Sequence, residues 1–322
     1  MTAEPALLHV ENLVKRFRVP GGVVEAVSGV GFAVRRGQTL GLVGESGCGK
    51  STTGRAVLQL PPPDEGSVRF GEAELTTLSR RDLRKVRNRL QIVWQDPRSA
   101  LNPGRRVRDL VAEGLVIAGR DRRAAGERVD AALAEVGLDP ATAGGRRPHE
   151  FSGGQCQRIA IARALVLEPE LLICDEPVAS LDVSVQAQVI NLLQDVKARH
   201  GLSLLFISHD LGVVHNVSDR VAVMYLGRIV EIGDVSAVYG SPAHPYTRAL
   251  LDAVPIPDPD APPPGPPLKG EVPSPLSPPS GCRFRTRCPL AQPLCAQQTP
   301  QLRDVGDDHQ VACHFSPTDG HP

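Results

Sequence analysis

A stretch of eight residues near the N-terminus has the residue types and spacing needed to bind phosphate. Residues 44–51 read GESGCGKS and fit the pattern G-x-x-x-x-G-K-[ST] of a phosphate-binding loop. Its glycines let backbone N–H groups turn inward around an anion, and the N-terminus of a following helix adds partial positive charge. Lys50 can then reach the β- and γ-phosphates of a nucleotide, and the Ser51 hydroxyl can bind Mg²⁺. The stretch therefore predicts nucleotide binding.

The elements on either side of this loop are the ones that such a loop requires. The preceding run Thr39–Val43 is short and apolar, as a buried strand should be. The following run, 51–60, is predicted to be a helix that ends before Pro61. The alternative, an ordinary glycine-rich turn, does not call for a strand, loop and helix in this order.

Further polar residues follow three other apolar runs that are predicted to be strands. Gln95 follows 90–94, Asp175 and Glu176 follow 171–174, and His209 follows 203–207. Asp175 can hold Mg²⁺, whereas Glu176 can accept a proton from an attacking water or orient it. Each residue alone has the simpler interpretation of a surface or capping residue, but their joint order after successive strands favours a shared site.

The alternation of strands and helices predicts an α/β fold with a mostly parallel core sheet covered by helices on both faces. In such sheets ligands bind at the carboxyl ends of the strands, where all these polar residues fall. Other runs predict a β region before the loop, a basic helix, an irregular basic stretch, three further helices and a hairpin. These runs are 7–18 with 23–34, 80–89, 98–126, 129–136 ended by Gly137, 155–167, 185–196, and 221–225 with 228–232.

The composition excludes several classes of protein. The 322 residues contain 36 Lys and Arg and 36 Asp and Glu, so the net charge of zero argues against wholesale nucleic-acid binding. Aromatic residues make up only 3%, which argues against base-stacking platforms. We find neither an apolar run long enough to span a membrane nor a signal peptide. We therefore expect a cytosolic protein, or one held at a membrane only through a partner.

The ordered motifs resemble those of the ATP-binding-cassette (ABC) ATPases. The resemblance covers roughly residues 7–235 and rests on GESGCGKS, WQDP, FSGGQ, LLICDEP, SLD and SHD. It implies a P-loop fold with an N-terminal antiparallel β subdomain and a helical subdomain at about 97–167. It also implies that two ATPase units enclose two ATP molecules head to tail. Phe151 before SGGQ and Cys156 after it depart from the usual residues, and neither change removes a phosphate-contacting group.

The resemblance also implies a role for each motif residue. Phe17 would stack on adenine, and Gln95 would be the Q-loop glutamine near Mg²⁺ and water. Asp175 would hold Mg²⁺ together with Ser51, Glu176 would be the catalytic base, and His209 would be the switch histidine. Asp182 would lie at the dimer contact, and a signature segment would reach the γ-phosphate bound by the partner subunit. That segment is Ser152, Gly153, Gly154 and Gln155, and the phosphate loop would comprise Gly44, Glu45, Ser46, Gly47, Cys48, Gly49, Lys50, Ser51 and Thr52.

The C-terminal part resembles the extension of ATPases that serve dipeptide, oligopeptide and nickel importers. The resemblance rests on SPAHPYT at 241–247, ALL at 249–251 and VP at 254–255, together with GESGCGKST and the ALNP at 100–103. It implies two integral membrane permease subunits, which would dock near 98–111, and a second ATPase subunit, for which we favour a different chain. It also implies an extracytoplasmic binding protein that selects the cargo, and a location at the cytoplasmic face of the cell membrane.

Four of the seven cysteines lie close together near the C-terminus. Cys282, Cys288, Cys295 and Cys313 have 5, 6 and 17 residues between them, without the C-x₂₋₄-C pair that usually begins a zinc site. Four thiolates also suit an iron–sulfur cluster, and some importer ATPases that this chain resembles carry a [4Fe–4S] cluster in this region. We expect a cluster, with zinc or no metal as the alternatives.

Taken together, these patterns predict an ATPase domain at 1–240 and a small irregular extension at 241–322 that includes the proline-rich segment from Pro255 to Pro279. The predicted function is ATP hydrolysis that powers peptide import, with ATP and Mg²⁺ as cofactors and no nucleic acid as partner. Nickel or another small solute is an alternative cargo. A soluble ABC ATPase acting on nucleic acid or ribosomes, or a degenerate regulatory subunit, is a less favoured alternative.

Overall fold

The computed structural model describes residues 6–120, 122–254, 268, 270–306 and 308–316. Most of the predicted proline-rich segment, residues 255–267 and 269, lies outside them. The strands are β1 Leu8–Val19, β2 Gly22–Val34, β3 Thr39–Val43, β4 Glu65–Phe70, β5 Ala73–Glu74, β6 Leu90–Val93, β7 Leu171–Asp175, β8 Ser203–Ile207, β9 Arg220–Tyr225, β10 Arg228–Asp234, β11 Arg303–Gly306 and β12 His309–Val311. The helices are α1 Lys50–Val57, α2 Arg80–Arg87, α3 Pro97–Ala100, α4 Val107–Ile117, α5 Arg122–Glu135, α6 Pro140–Ala143, α7 Gly153–Leu165, α8 Val183–His200, α9 Leu211–Val217, α10 Val235–Gly240, α11 Pro245–Asp252 and α12 Pro293–Gln297.

The chain forms two compact units, each built from separate segments. The first unit comprises the described residues of Met1–Leu7, Val34–Gln38 and Ala73–Ile207. The second comprises those of Leu8–Ala33, Thr39–Glu72 and Ser208–Pro322. The predicted boundary at 240/241 stays a prediction, and the described residues on both sides of it belong to the second unit.

The first unit contains three parallel strands in the order β6, β7, β8. Leu171 pairs with both Leu90 and Ser203, and Cys174 pairs with both Val93 and Phe206. Both β7 and β8 are buried along their whole length, which explains why their sequences are continuous apolar runs. Their carboxyl ends place Asp175 and Glu176 at one edge of the sheet.

The helices of the first unit correct one prediction. The stretch 98–126 was predicted to be irregular, whereas it contains most of α3, all of α4 and the start of α5. Helix α4 buries an apolar face formed by Val107, Leu110, Val111 and Leu115, and it packs against α7. The prediction was wrong because arginines and glycines flank the helix closely and obscure the short apolar stripe. By contrast, Gly137 ends the α5 region as predicted, with a φ of 75°.

The second unit has an antiparallel β region and a mixed sheet. Strands β2, β1 and β4 lie side by side, with β1 and β4 antiparallel. In the mixed sheet β3 runs parallel to β9, and β9 and β10 form the predicted antiparallel hairpin. Strand β12 then pairs with β10 and β11 pairs with β12, so that the C-terminal residues extend this sheet. The described residues after 240 are more regular than their composition indicated.

The C-terminal residues pack around one buried carboxylate, that of Glu231 on β10. The Glu231 side chain accepts hydrogen bonds from the backbone N–H groups of Ala243, at 2.6 Å, and His244, at 2.9 Å. Nε2 of His309 lies 2.7 Å from the same carboxylate. None of Glu231 is exposed, so these three groups replace the water that it would otherwise bind. Among the described residues, no helix is long and apolar enough to cross a membrane.

Candidate functional site

The phosphate loop lies in the second unit, between β3 and α1. Gly44, Gly47 and Gly49 all have positive φ, at 147°, 77° and 106°. A Cβ atom on Gly44 would lie 2.1 Å from the carbonyl oxygen of Met224, and one on Gly49 would lie 2.1 Å from that of Ala26. Glycine is therefore required at these two positions both by backbone conformation and by space.

Lys50 spans this loop from the first turn of α1. It is 4% exposed, and its ammonium group donates to the carbonyl oxygens of Gly44, at 2.7 Å, and Glu45, at 3.1 Å. The amine is thus held across the loop, where it can meet an anion. Ser51 and Thr52 are half-buried and occupy the next positions of the same turn. The helix N-terminus and the Lys50 charge together make this loop suitable for phosphate.

Two other predicted residues belong to the second unit. Phe17 lies near the end of β1 and is 37% exposed, and Nζ of Lys15 lies over its ring, 5.8 Å from the centroid. His209 follows Ser208, whose N–H donates to the carbonyl of Leu42 in β3 at 3.2 Å. His209 is exposed, and the next residue, Asp210, caps α9.

The acidic pair and the Q-loop glutamine meet in the first unit. Asp175 is fully buried at the end of β7, and Glu176 follows it with a φ of 48°. This left-handed conformation is uncommon for a glutamate and is often found at functional sites. Nε2 of Gln95 donates to Oε2 of Glu176 at 2.7 Å, and the Glu176 N–H donates to Ile207 at 3.0 Å. The structure therefore brings Gln95 and Glu176 into direct contact.

The signature segment forms the N-terminus of helix α7. The Ser152 hydroxyl accepts from the Gln155 N–H, and the Gln155 side chain accepts from the Ser152 N–H at 3.0 Å, which makes a capping box. Gly154 is buried, and a Cβ atom there would lie 2.4 Å from Cγ1 of Val185. The remaining N–H groups of the first turn have no acceptor within the helix, as at any helix N-terminus, and are the groups that could bind an anion.

Asp182 caps α8 beside this segment. Its carboxylate accepts from the Val185 N–H at 3.0 Å and from the Ser184 hydroxyl at 2.7 Å. These hydrogen bonds, led by that of Ser184, lower the pKa of Asp182. A cavity of about 450 Å³ opens between Asp182, the segment Ser152–Gly154 and Arg98. The cavity lies within the first unit and offers both a helix N-terminus and a cation.

The four tail cysteines come close together in the second unit. The Cys282 N–H donates to the carbonyl of Cys295 at 2.8 Å. Burial raises the pKa of Cys288 and of Cys313 to about 11, and the nearby Cys282 and Cys295 contribute to raising both pKa values. Backbone N–H groups two residues further on donate to three of the sulfurs, from Phe284 to Cys282, Leu290 to Cys288 and Phe315 to Cys313. In the part of the chain that the structure describes, no group of three or more His, Cys, Asp or Glu side chains is arranged to hold a metal ion.

The structure also reveals contacts on the phosphate loop that the sequence did not predict. Arg287 forms a two-pronged ion pair with Glu45, and the Tyr246 hydroxyl accepts from the Glu45 N–H at 3.0 Å. Tyr246 belongs to the SPAHPYT motif, which could have drawn attention to it, whereas nothing in the sequence distinguishes Arg287 from other arginines.

Comparison with known proteins establishes the class. The sequence profile of the family described as ABC transporter matches residues 27–179. The structure of cbiO1 from Clostridium perfringens, part of the ABC transporter complex cbiONQ, matches with a TM-score of 0.65 and 31% identity over 74% of this chain and 92% of that one. The ATP-binding cassette MJ0796, in a dimeric post-hydrolysis structure with ADP and Pi, matches with a TM-score of 0.64 and 25% identity. The match covers 71% of this chain and 98% of that one. The protein is an ABC-type ATPase, and the predicted fold class is confirmed.

More similar relatives identify the branch of the class. The profile described as oligopeptide/dipeptide transporter, C-terminal region, matches residues 230–295. AppF of Bacillus subtilis is 48% identical over 331 residues, which cover 98% of this chain and 99% of AppF. OppF of Escherichia coli is 50% identical over 320 residues, 95% of each chain. A protein of Brucella ovis named for peptide import is 51% identical over 314 residues, which cover 97% of this chain and 98% of that protein. The chain belongs to the family of ATP-binding proteins of peptide and oligopeptide transport, as its motifs indicated.

Proposed function

We propose that this chain is the ATP-hydrolysing subunit that powers peptide import through a membrane ABC transporter. The observation that carries the proposal is the position of Glu176 at the carboxyl end of β7, in a left-handed conformation and hydrogen bonded to Gln95. The identity of about half the residues with AppF and OppF, both named for oligopeptide transport, supports peptides as the cargo. Nickel or another small solute is the alternative cargo.

Each site residue has a part in the proposed reaction. Glu176 takes a proton from water as the water oxygen forms a bond to the γ-phosphorus and the bond to the ADP oxygen breaks. Gln95 orients the water, and His209 donates a hydrogen bond toward the γ-phosphate. Lys50 and the N–H groups of residues 44–52 neutralise and orient the phosphates. Phe17 supports the adenine ring.

The residues fit a magnesium ion that accompanies the nucleotide. Asp175 is a fully buried carboxylate at a strand end, the kind of ligand that Mg²⁺ prefers, and by the motif resemblance Ser51 and Gln95 would supply further oxygen ligands. When bound, Mg²⁺ neutralises charge on the phosphate oxygens. The chain's own contribution is to hold the Asp175 carboxylate at the end of β7 and the Ser51 hydroxyl in the first turn of α1.

The proposed assembly contains a second ATPase subunit, head to tail, for which we favour a different chain. In that assembly Ser152, Gly153, Gly154 and Gln155 contact the γ-phosphate held by the partner, and Asp182 lies at the dimer contact. Two integral membrane permease subunits dock near residues 98–111, where the conformational change of the ATPase subunits reaches them. An extracytoplasmic binding protein delivers the cargo. The ATPase domain is proposed as 1–240, with the helical subdomain at about 97–167 and the extension at 241–322. The proposed location is the cytoplasmic face of the cell membrane.

Two substitutions test the proposed ATP site. Lys50→Ala should abolish ATP binding, because it removes the only charge that spans the phosphate loop in the described contacts. Glu176→Gln should keep ATP binding and lower the rate of hydrolysis about 100- to 10,000-fold, the range for loss of a general base. ATP affinity and phosphate release are measured on purified protein. Normal affinity in the first variant, or unchanged turnover in the second, would refute the corresponding role.

The cargo is tested in cells whose own copy of the chain carries Glu176→Gln. Uptake of a labelled tripeptide should be lost while uptake of radioactive nickel is kept. If nickel uptake were lost and tripeptide uptake kept, the cargo would be nickel and not peptides. Purification of the tagged chain from membranes should recover permease proteins, whereas recovery of ribosomes, RNA or DNA would favour the soluble alternative.

The tail cysteines are proposed to hold a [4Fe–4S] cluster through Cys282, Cys288, Cys295 and Cys313. In support, all four are free, three are half-buried and one is buried, and backbone N–H groups donate to three of the sulfurs. Such hydrogen bonds stabilise thiolates and are one means by which proteins adjust the potential of a cluster. The bound cluster would supply structural or redox chemistry, and zinc is the alternative.

Metal analysis of protein purified without oxygen tests this proposal. About four irons and four sulfides per chain, with visible absorption lost in Cys288→Ser, would support the cluster. Cys156→Ser is the matched control, because Cys156 is buried in α7 of the first unit. About one zinc per chain would support the alternative, and metal-free protein with normal ATP hydrolysis would refute both.

A further inference from the structure

Two described residues of the C-terminal extension, Arg287 and Tyr246, contact Glu45 of the phosphate loop. Nη1 of Arg287 lies 2.7 Å from one carboxylate oxygen of Glu45, and Nη2 lies 3.0 Å from the other. The Arg287 side chain is 5% exposed, and that of Glu45 is 26% exposed. Hydrogen bonds to the Glu45 carboxylate raise the pKa of Arg287 above its ordinary value. The pair thus has the two-pronged geometry that fixes orientation as well as distance.

A second group of the extension holds the backbone of the same residue. The Tyr246 hydroxyl accepts from the Glu45 N–H at 3.0 Å. Tyr246 is fully buried and packs against Tyr225 and Phe284, with ring centroids 4.7 and 5.3 Å away. Since both the side chain and the N–H of Glu45 are bonded to the extension, the second position of the phosphate loop is fixed from outside the loop.

The other end of the loop is supported through a second arginine of the extension. Arg283 donates to the carbonyl of Leu226 and, at 2.9 Å, to the Ser28 hydroxyl. Leu226 and Gly227 form the turn between β9 and β10, and the Gly227 N–H donates to the carbonyl of Cys48 at 2.8 Å. Arg283 and Arg287 therefore stabilise both the first and the later part of the loop.

We propose that Arg287 is a positioning residue for ATP, acting through Glu45 to keep the phosphate loop in its binding conformation. The inference deepens the proposed function and rests on it. A loop with glycine at positions 44, 47 and 49 has many accessible conformations, and only those with converging N–H groups bind phosphate. Restricting the loop before ATP arrives lowers the entropy lost on binding. A surface ion pair would have little effect, but here the guanidinium is buried and its fork is matched by both carboxylate oxygens.

The test compares Arg287→Ala with a neighbouring control, Arg285→Ala. Arg285 lies in the same segment, and its side chain donates to Ser280 rather than to the phosphate loop, through Nε at 3.0 Å and Nη2 at 3.4 Å. Arg287→Ala should raise the Kd and KM for ATP about tenfold while kcat changes little, because the loop binds ground state and transition state alike. Arg285→Ala should have the same Kd and KM for ATP as the wild type. Arg287→Lys keeps the charge but not the two-pronged geometry, so its Kd for ATP should lie between those of Arg287→Ala and Arg285→Ala.

Further measurements keep the proposal separable from other effects. Glu45→Gln, made on the loop itself, should reproduce the weaker binding, and the double variant Glu45→Gln/Arg287→Ala should be no weaker than Arg287→Ala alone. Each variant should remain fully folded at the assay temperature, with the iron content of the wild type, which separates a positioning role from misfolding or loss of a cluster. ATP affinity in Arg287→Ala equal to that in Arg285→Ala, or additive effects in the double variant, would overturn the inference. Absence of ATP binding in the wild type would instead refute the proposed function.

Discussion

Glu231→Gln is expected to destabilise the second unit although it changes only one atom. The carboxylate oxygen Oε1 accepts from the Ala243 N–H at 2.6 Å and faces Nε2 of His309 at 2.7 Å, and Oε2 accepts from the His244 N–H at 2.9 Å. A glutamine has one oxygen and one NH₂ group. If its oxygen keeps the first two hydrogen bonds, the NH₂ group must face the N–H of His244, so that two donors meet in a site with no exposure.

The magnitude follows from these contacts. One buried donor without an acceptor costs about 1–3 kcal/mol, and loss of charge assistance in the remaining hydrogen bonds adds roughly 1 kcal/mol. We therefore expect the free energy of unfolding to fall by about 2–4 kcal/mol. Glu231→Ala leaves all three donors without an acceptor and should cost about 3–5 kcal/mol or more.

Urea unfolding followed by circular dichroism measures the change. Glu72→Gln is the control, since Glu72 is exposed and belongs to the same unit, and it should stay within about 0.5 kcal/mol of the wild type. A Glu231→Gln variant as stable as this control would mean that the carboxylate does not organise the extension, and the reasoning above would be wrong.

Two further predictions concern neighbouring positions. Burial lowers the pKa of His244 to about 4, against the opposing effect of Glu231, and its Nδ1 accepts from the Tyr246 N–H at 3.0 Å. Between pH 6.5 and 4 the unfolded chain binds a proton that the folded chain does not, so the stability that neutral His244 contributes, up to about 3 kcal/mol, should be lost as the pH falls through this range. His244→Asn, which keeps the capping acceptor, should show a smaller loss in urea unfolding at pH 6.5 and 4.5, and an identical loss would contradict the prediction. Gly49→Ala should lower the urea midpoint and abolish ATP binding, because φ is 106° and the new Cβ would lie 2.1 Å from the carbonyl oxygen of Ala26. We expect the free energy of unfolding to fall by about 2–4 kcal/mol, and a urea midpoint equal to that of the wild type would refute the prediction.

The sequence predicted the elements whose signals are local. Strands β3, β7 and β8 are continuous apolar runs, and the structure has them within one residue of the predicted bounds. The hairpin of β9 and β10 and the helix end at Gly137 were also confirmed, because turn residues with positive φ mark them. Helix α4 was missed, since its apolar face contains few residues and its flanks carry arginine and glycine.

The sequence by itself determined the phosphate loop, the acidic pair after β7 and the capped N-terminus of α7, because each depends on residues close together in the chain. Only the tertiary structure decided that Gln95 contacts Glu176, 81 residues away, and that Arg287 contacts Glu45, 242 residues away. Such pairs depend on the path of the whole chain, and a single arginine or glutamate carries no local pattern that names its partner. For the same reason, the role of Glu231 in the extension became visible only when β10, α11 and β12 were brought together.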